Sequence, residues 1–169
     1  MNHIILWSPI TRIIHWAIAI PVLFNFFIEG GDLSHKVLGY VSFFAIFIRI
    51  AWGLISKDKA HFRFLPLKPS EIREYILILF SGRMKNFPGH NPLASVAYVI
   101  IWILVGLLGI SGFMMGLDAF WGEDWLEQLH ELLSSALMAL VILHFIGIAF
   151  DGIKNKRKTW LGMITGRRE

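Results

Sequence analysis

The chain has 169 residues, 56% of them hydrophobic and 17% charged, with a mean hydropathy of +0.61. That composition excludes an ordinary soluble domain and indicates a membrane protein. There is no cysteine, which excludes disulfides, cysteine-ligated iron–sulfur clusters and C-x-x-C-H haem attachment, so any metal centre must rely on His, Met or carboxylates.

Four apolar segments are predicted in chain order, within one domain spanning residues 1–169. The first runs from Ile13 to Ile28, extended to Arg12, which can snorkel to the interface. The second runs from Val37 to Leu54 and the third from Leu93 to Leu117. The fourth, Trp125 to Phe150, is the most informative, with two histidines and no charge between Glu131 and Asp151. No cleavable signal peptide is expected, since the first apolar segment is followed by others and lacks a small-residue cleavage site. The fold class expected is all-α: a four-helix transmembrane bundle with short interfacial helices. Between segments two and three, Pro69-Ser70-Glu71 predicts a helix start with Ser70 as N-cap. The apolar face of Ile72, Tyr75, Ile76, Leu79 and Phe80 would then lie on the membrane surface or pack on the bundle, bounded by Gly82 and Pro88. The GHNP turn, His90 included, leads into segment three either as a cap or as the polar edge of a quinone pocket. The tail from Lys154 to Arg168 reads as a basic surface segment with Trp160 as an interfacial anchor and no site.

Charge orients the bundle. All of the 16 Lys and Arg except Lys36 and Arg49 fall before segment one, between segments two and three, or in the tail. The other two connections carry Lys36 beside Glu29, Asp32, Asp118, Glu123, Asp124, Glu127 and Glu131. The positive-inside rule then puts both termini in the cytoplasm, with an acidic face opposite. The net charge of +4 is thereby explained, and nucleic acid is not expected as a partner.

His130 and His144 are fourteen residues apart, which places them within about 40° of one helix face and about 21 Å apart along the axis. His15 near the start of segment one lies at the depth of His144, and His35 at the start of segment two at that of His130. Two facing pairs result, His15 with His144 and His35 with His130. A lone histidine at a helix end is more often an interfacial polar residue. Four in two matched layers read as axial ligands, because imidazole within lipid needs partners. Paired imidazoles about a planar ligand describe bis-histidine haem, and without cysteine the haem is b-type. Gly39, Ala19, Ser134 and Gly147, close to these histidines, would leave space for a porphyrin. Gly106, Gly109 and Gly112 form a stripe that ordinary helix packing explains as well. Arg49 is a candidate partner for a haem propionate or a lipid phosphate, with Arg12 and Lys36 as similar candidates. Met114 and Met115 are better read as packing residues than as ligands.

Trp7–Trp16 (WSPITRIIHW), His35–Tyr40 (HKVLGY), Arg49–Gly53 (RIAWG), GHNP, LHELL from Leu129, HFIG from His144 and the terminal MITGRR resemble the bacterial cytochrome b561 family. That family includes the b-type cytochrome subunits of nickel–iron hydrogenases. The resemblance covers nearly the whole chain. It implies four helices, two haems b held by His15, His35, His130 and His144, and electron exchange with membrane quinone. Ser8 stands where the family usually has Asp. The function expected is transmembrane electron transfer between a periplasmic redox partner and the quinone pool of a respiratory chain. The acidic face would favour a basic partner such as a c-type cytochrome; a homodimer is compatible. A superoxide:quinone oxidoreductase would use the same haems, though superoxide would meet that acidic face. A haem-free anchor or a metal-ion transporter is the alternative from another class, but a transporter needs ligands converging at one midplane site.

Overall fold

Local sequence fixes where the helices begin. Ser8 accepts a hydrogen bond from the backbone N–H of Thr11, and Pro9 supplies a preset φ where no N–H is required. The first helix therefore begins earlier than hydropathy suggests. In the computed structural model, which describes residues 6–28, 30–81, 91–156 and 158–167, helix α1 is Pro9–Asn25. Helix α2 is Leu33–Ile55, starting at Leu33 rather than Val37. Helix α4 is Pro92–Met114, where Asn91 accepts from the Ala94 N–H at 2.8 Å and Pro92 occupies the first turn. Helix α5, Asp124–Asn155, overruns the expected segment and ends where Lys156 turns left-handed at φ 51°.

The intervening helix α3 is Pro69–Phe80, and its N-cap is Lys68 rather than Ser70. Pro69 is the reason: its fixed φ suits the first helical position, which moves the cap one residue before it. Helix α3 packs against α4. Gly82, Pro88 and His90 lie outside the described residues.

Helices α2, α4 and α5 are long and apolar enough to cross a membrane; α1, with 17 residues, is a shorter apolar helix. At 1.5 Å per residue α1 reaches about 26 Å, a little less than a hydrocarbon core of about 30 Å. Among the described residues there is no strand. The chain is an all-α membrane protein.

Helix α1 packs on α2, α2 on α4, and α4 on α5. All four supply the core: Ile14, Ile18 and Val22 from α1, Ala45 and Ile46 from α2, Trp102 and Val105 from α4, and Leu137 from α5. Outside this core Phe24, Phe44, Phe47, Ile103 and Phe145 are exposed. Such a girdle of large apolar side chains suits lipid, where water would penalise it.

The chain's two ends meet. The backbone N–H groups of Leu6 and Trp7 donate to the Gly166 carbonyl at 2.9 and 3.2 Å. Arg12 Nη1 donates to the Ile164 carbonyl and Trp16 Nε1 to that of Met163. These groups cap the short helix α6, Gly162–Thr165, whose last carbonyls lack helical donors. Gly166 sits at φ +75°, and a Cβ there would lie 2.7 Å from the Trp7 carbonyl. The tail is thus not only a basic surface segment: residues 162–166 clasp the start of α1. The end of the molecule carrying this clasp is called the terminal end below, and the opposite one the distal end.

Candidate functional site

Helix α5 carries His130 near its distal end and His144 deeper. The distal ends of the other helices converge on the first of these. His35, in the first turn of α2, faces His130 with ring centroids 6.2 Å apart and planes tilted by 58°. Two imidazoles on opposite sides of one metal ion, each bonded at about 2.0 Å, hold their centroids about 6 Å apart. The pair is therefore spaced to share an axial metal.

Ser111, near the end of α4, supports this arrangement. It is 3% exposed, its Oγ lies 2.8 Å from His130 Nδ1, and it reaches the Leu108 carbonyl at 3.2 Å. A hydroxyl that donates to that carbonyl accepts from Nδ1–H, which leaves the lone pair on Nε2, the nitrogen a metal needs. Gly112 lies beneath the ring; a Cβ there would meet His130 Cε1 at 3.5 Å. The His35 ring is less engaged. Its Nδ1 is buried without a hydrogen-bond partner, and so is Asn25 Oδ1. Asn25 Nδ2 donates to the His35 carbonyl at 3.1 Å, tying the end of α1 to the start of α2. Gly39 packs beside that amide, while Lys36 is exposed.

Nearer the terminal end, His15 on α1 lies close enough to His144 on α5, and to Arg49 on α2, for their charges to act on it. Arg49 is 1% exposed. Its Nε donates to Tyr98 Oη at 3.1 Å and its Nη2 to the Ala60 carbonyl at 3.0 Å. The guanidinium lies 5.0 to 5.8 Å from the ring centroids of Trp102, Tyr98 and Phe62, each contact a favourable cation–π arrangement. Nη1 is buried with no partner. A buried cation without a carboxylate among its hydrogen-bond partners is costly unless something anionic comes to meet it. Beside Gly106 and Gly147 a Cβ would find no other heavy atom within 4 Å, so there is open space on α4 and, one turn after His144, on α5.

Below this layer a polar knot fastens α1 to α2. Asp58 Oδ2 accepts from the Ser8 N–H and from Thr11 Oγ1, both at 3.1 Å, and Oδ1 accepts from the Ala60 N–H at 2.8 Å. Trp52 Nε1 donates to Thr11 Oγ1 at 3.0 Å. Burial alone would push the Asp58 carboxyl up, but these donors outweigh it and hold Asp58 below the usual carboxylate range. The carboxylate absent at position 8 is thus supplied to the same helix start by Asp58.

The four histidines fall into the two layers that their spacing implies. Of the other candidates, Arg49 belongs to the terminal-end layer and Arg12 to the clasp, where its Nε is buried without a partner. The glycine stripe divides: Gly109 takes Phe43, Gly112 takes the His130 ring and Gly106 borders space. His61 caps a turn by accepting from the Arg63 N–H, and His3 lies outside the described residues. Sequence reasoning missed Ser111, Asn25, Thr11 and Asp58. The signal for Ser111 was present, as a hydroxyl in the most apolar helix, but it was hidden between two glycines of the stripe.

A family model for prokaryotic cytochrome b561 matches residues 6–166. No curated protein and no solved structure matches the chain. With the match running almost from end to end, and histidines paired across apolar helices, the chain belongs to the prokaryotic cytochrome b561 family, membrane proteins that transfer electrons by b-type haem.

Proposed function

We propose that the chain is a single four-helix domain that carries electrons across the bacterial inner membrane through two haems b, between a periplasmic redox partner and the quinone pool. The observation that carries this reading is the His35–His130 pair, at a ring separation of 6.2 Å that suits one axial metal. His15 and His144 form the second pair. Each haem, when bound, supplies a one-electron iron couple within a low-dielectric interior.

The chain's own residues hold and orient. His35 and His130 present imidazole from α2 and α5 to the distal site, and Ser111 fixes the His130 ring. His15 and His144 do the same at the terminal end. Arg49 offers its unpartnered Nη1 to a haem propionate there, which would offset the negative charge that the propionate brings to the site. Open space beside Gly106 and Gly147 suits a flat macrocycle. Among the described residues no three His, Asp or Glu side chains converge as a metal cage, which disfavours the transporter alternative.

The clasped ends lie on the side that carries the basic connection, and by the positive-inside rule this is the cytoplasm. The acidic distal face then meets the periplasm, where a basic c-type cytochrome would be steered to it. The test is haem stoichiometry with optical and EPR spectra of the purified protein. Two low-spin b haems per chain are expected, with one lost in His130→Ala and the other in His144→Ala. A preparation fully loaded with a single haem would end the reading.

A further inference from the structure

The interval from His35 to Arg49 in α2 equals that from His130 to His144 in α5, fourteen residues in each case. Both are about 21 Å along a helix axis. Both helices descend from the distal end, since their N-terminal ends meet at the His35–His130 pair. Arg49 therefore stands level with His144, at a position 1% exposed to solvent. Screening there is weak, so a fixed positive charge favours whichever neighbouring state carries less of it.

The distal layer has the opposite character. Ser111 Oγ, already directed at the Leu108 carbonyl, accepts from His130 Nδ1–H, and a histidine that donates in this way is a more basic ligand. A more basic ligand stabilises the more positive oxidation state of the metal it binds. The Glu131 carboxylate, next to His130 in the chain, adds negative charge in the same sense, though it is exposed and screened. The opposing charges are weaker. Lys36 beside His35 is exposed, and Asp58 at the terminal end is engaged by three donors in the loop before α3.

We infer that Arg49 and Ser111 set the two haem sites apart in potential, so that the terminal-end site is the more easily reduced. The inference rests on the two-haem reading above. It gives transfer a downhill sense, from the distal face toward the clasped ends, with Arg49 and Ser111 as positioning and tuning residues rather than ligands.

The test is an optical redox titration of the purified full chain. Wild type should show two one-electron transitions, and the haem retained in His130→Ala should titrate as the higher of the two. Arg49→Gln should lower that transition by about tenfold in the ferrous-to-ferric ratio, about 59 mV for a one-electron couple, with Arg49→Lys restoring most of it. Ser111→Ala should raise only the lower transition, and Ser111→Thr should leave it in place. Should Arg49→Gln fail to fold, the order in His130→Ala and the Ser111 pair still decide. A higher potential at the distal site, or an Arg49→Gln shift that is absent or equal at both haems, overturns the inference and leaves the two-haem reading intact. A wild-type count of one haem overturns that reading itself.

Discussion

Replacing Thr11 with Val tests how far the seat of His15 depends on the polar knot one turn below it. Val matches Thr in shape, so the change removes a hydroxyl from a side chain only 2% exposed and opens no cavity. Three hydrogen bonds go with it: the donation to Asp58 at 3.1 Å, the acceptance from Trp52 Nε1 at 3.0 Å and the contact with Ser8 Oγ at 3.0 Å. A hydrogen bond to a charged group contributes about 1.5–3 kcal/mol, and an indole N–H left without an acceptor costs about 1–3 kcal/mol. The added methyl returns about 0.8 kcal/mol. The net loss is about 2–5 kcal/mol, equivalent to about 4–20 °C in unfolding midpoint for a chain of this size. The assay is thermal unfolding in detergent by circular dichroism, with haem retention followed in parallel. Thr11→Ser keeps the hydroxyl and should lose far less. If Thr11→Val and Thr11→Ser unfold at the same temperature, the knot does not anchor α1 and the reasoning fails.

The same knot gives a pH dependence. The Asp58 carboxyl is held below its unfolded value of about 3.9, so its stabilisation is complete above that value and disappears as pH falls through the folded one. Asp58→Asn should therefore flatten part of the stability loss on acidification below about pH 4, and identical unfolding profiles for the two proteins would count against it. At Gly112 a Cβ would be in ordinary contact with His130 Cε1 at 3.5 Å. Gly112→Ala should keep both haems, while Gly112→Leu should push the ring aside and lose the distal one; haem analysis showing full occupancy in Gly112→Leu would contradict the geometry. Gly166→Ala places a Cβ 2.7 Å from the Trp7 carbonyl at φ +75°, strain of about 1–3 kcal/mol. It should make the tail more sensitive to limited proteolysis, and an unchanged digestion rate would show that the clasp tolerates it.

Much of this was legible in the sequence because it rests on periodicity. The depth of a residue in a membrane helix follows from its count along the chain, so His15, His35, His130 and His144 sort into layers without coordinates. The apolar helices and their order were legible for the same reason. What could not be read depends on the direction of single side chains across helix pairs. Ser111 meets His130 because α4 and α5 cross at that height, and nothing periodic in GISG announces it. Arg49 could be placed in depth, but its enclosure by Phe62, Tyr98 and Trp102 needed the loop after α2 to fold back over it. The clasp was missed because hydropathy does not detect backbone hydrogen bonds between residues some 160 positions apart. Residue preference alone points to Ser70 as the cap of α3, where Pro69 at the first helical position moves it to Lys68.

The clasp also bears on how the molecule is assembled. Arg12 and Trp16, on either side of His15, find their carbonyl partners at Ile164 and Met163, which are made only after all the membrane helices. The distal ends of the helices can come together while the later residues are still being made, but the ring of His15 gains its full support only once residues 162–166 have been added. A nascent chain would thus settle its distal end before the seat of His15, although His15 lies in the first helix to be made.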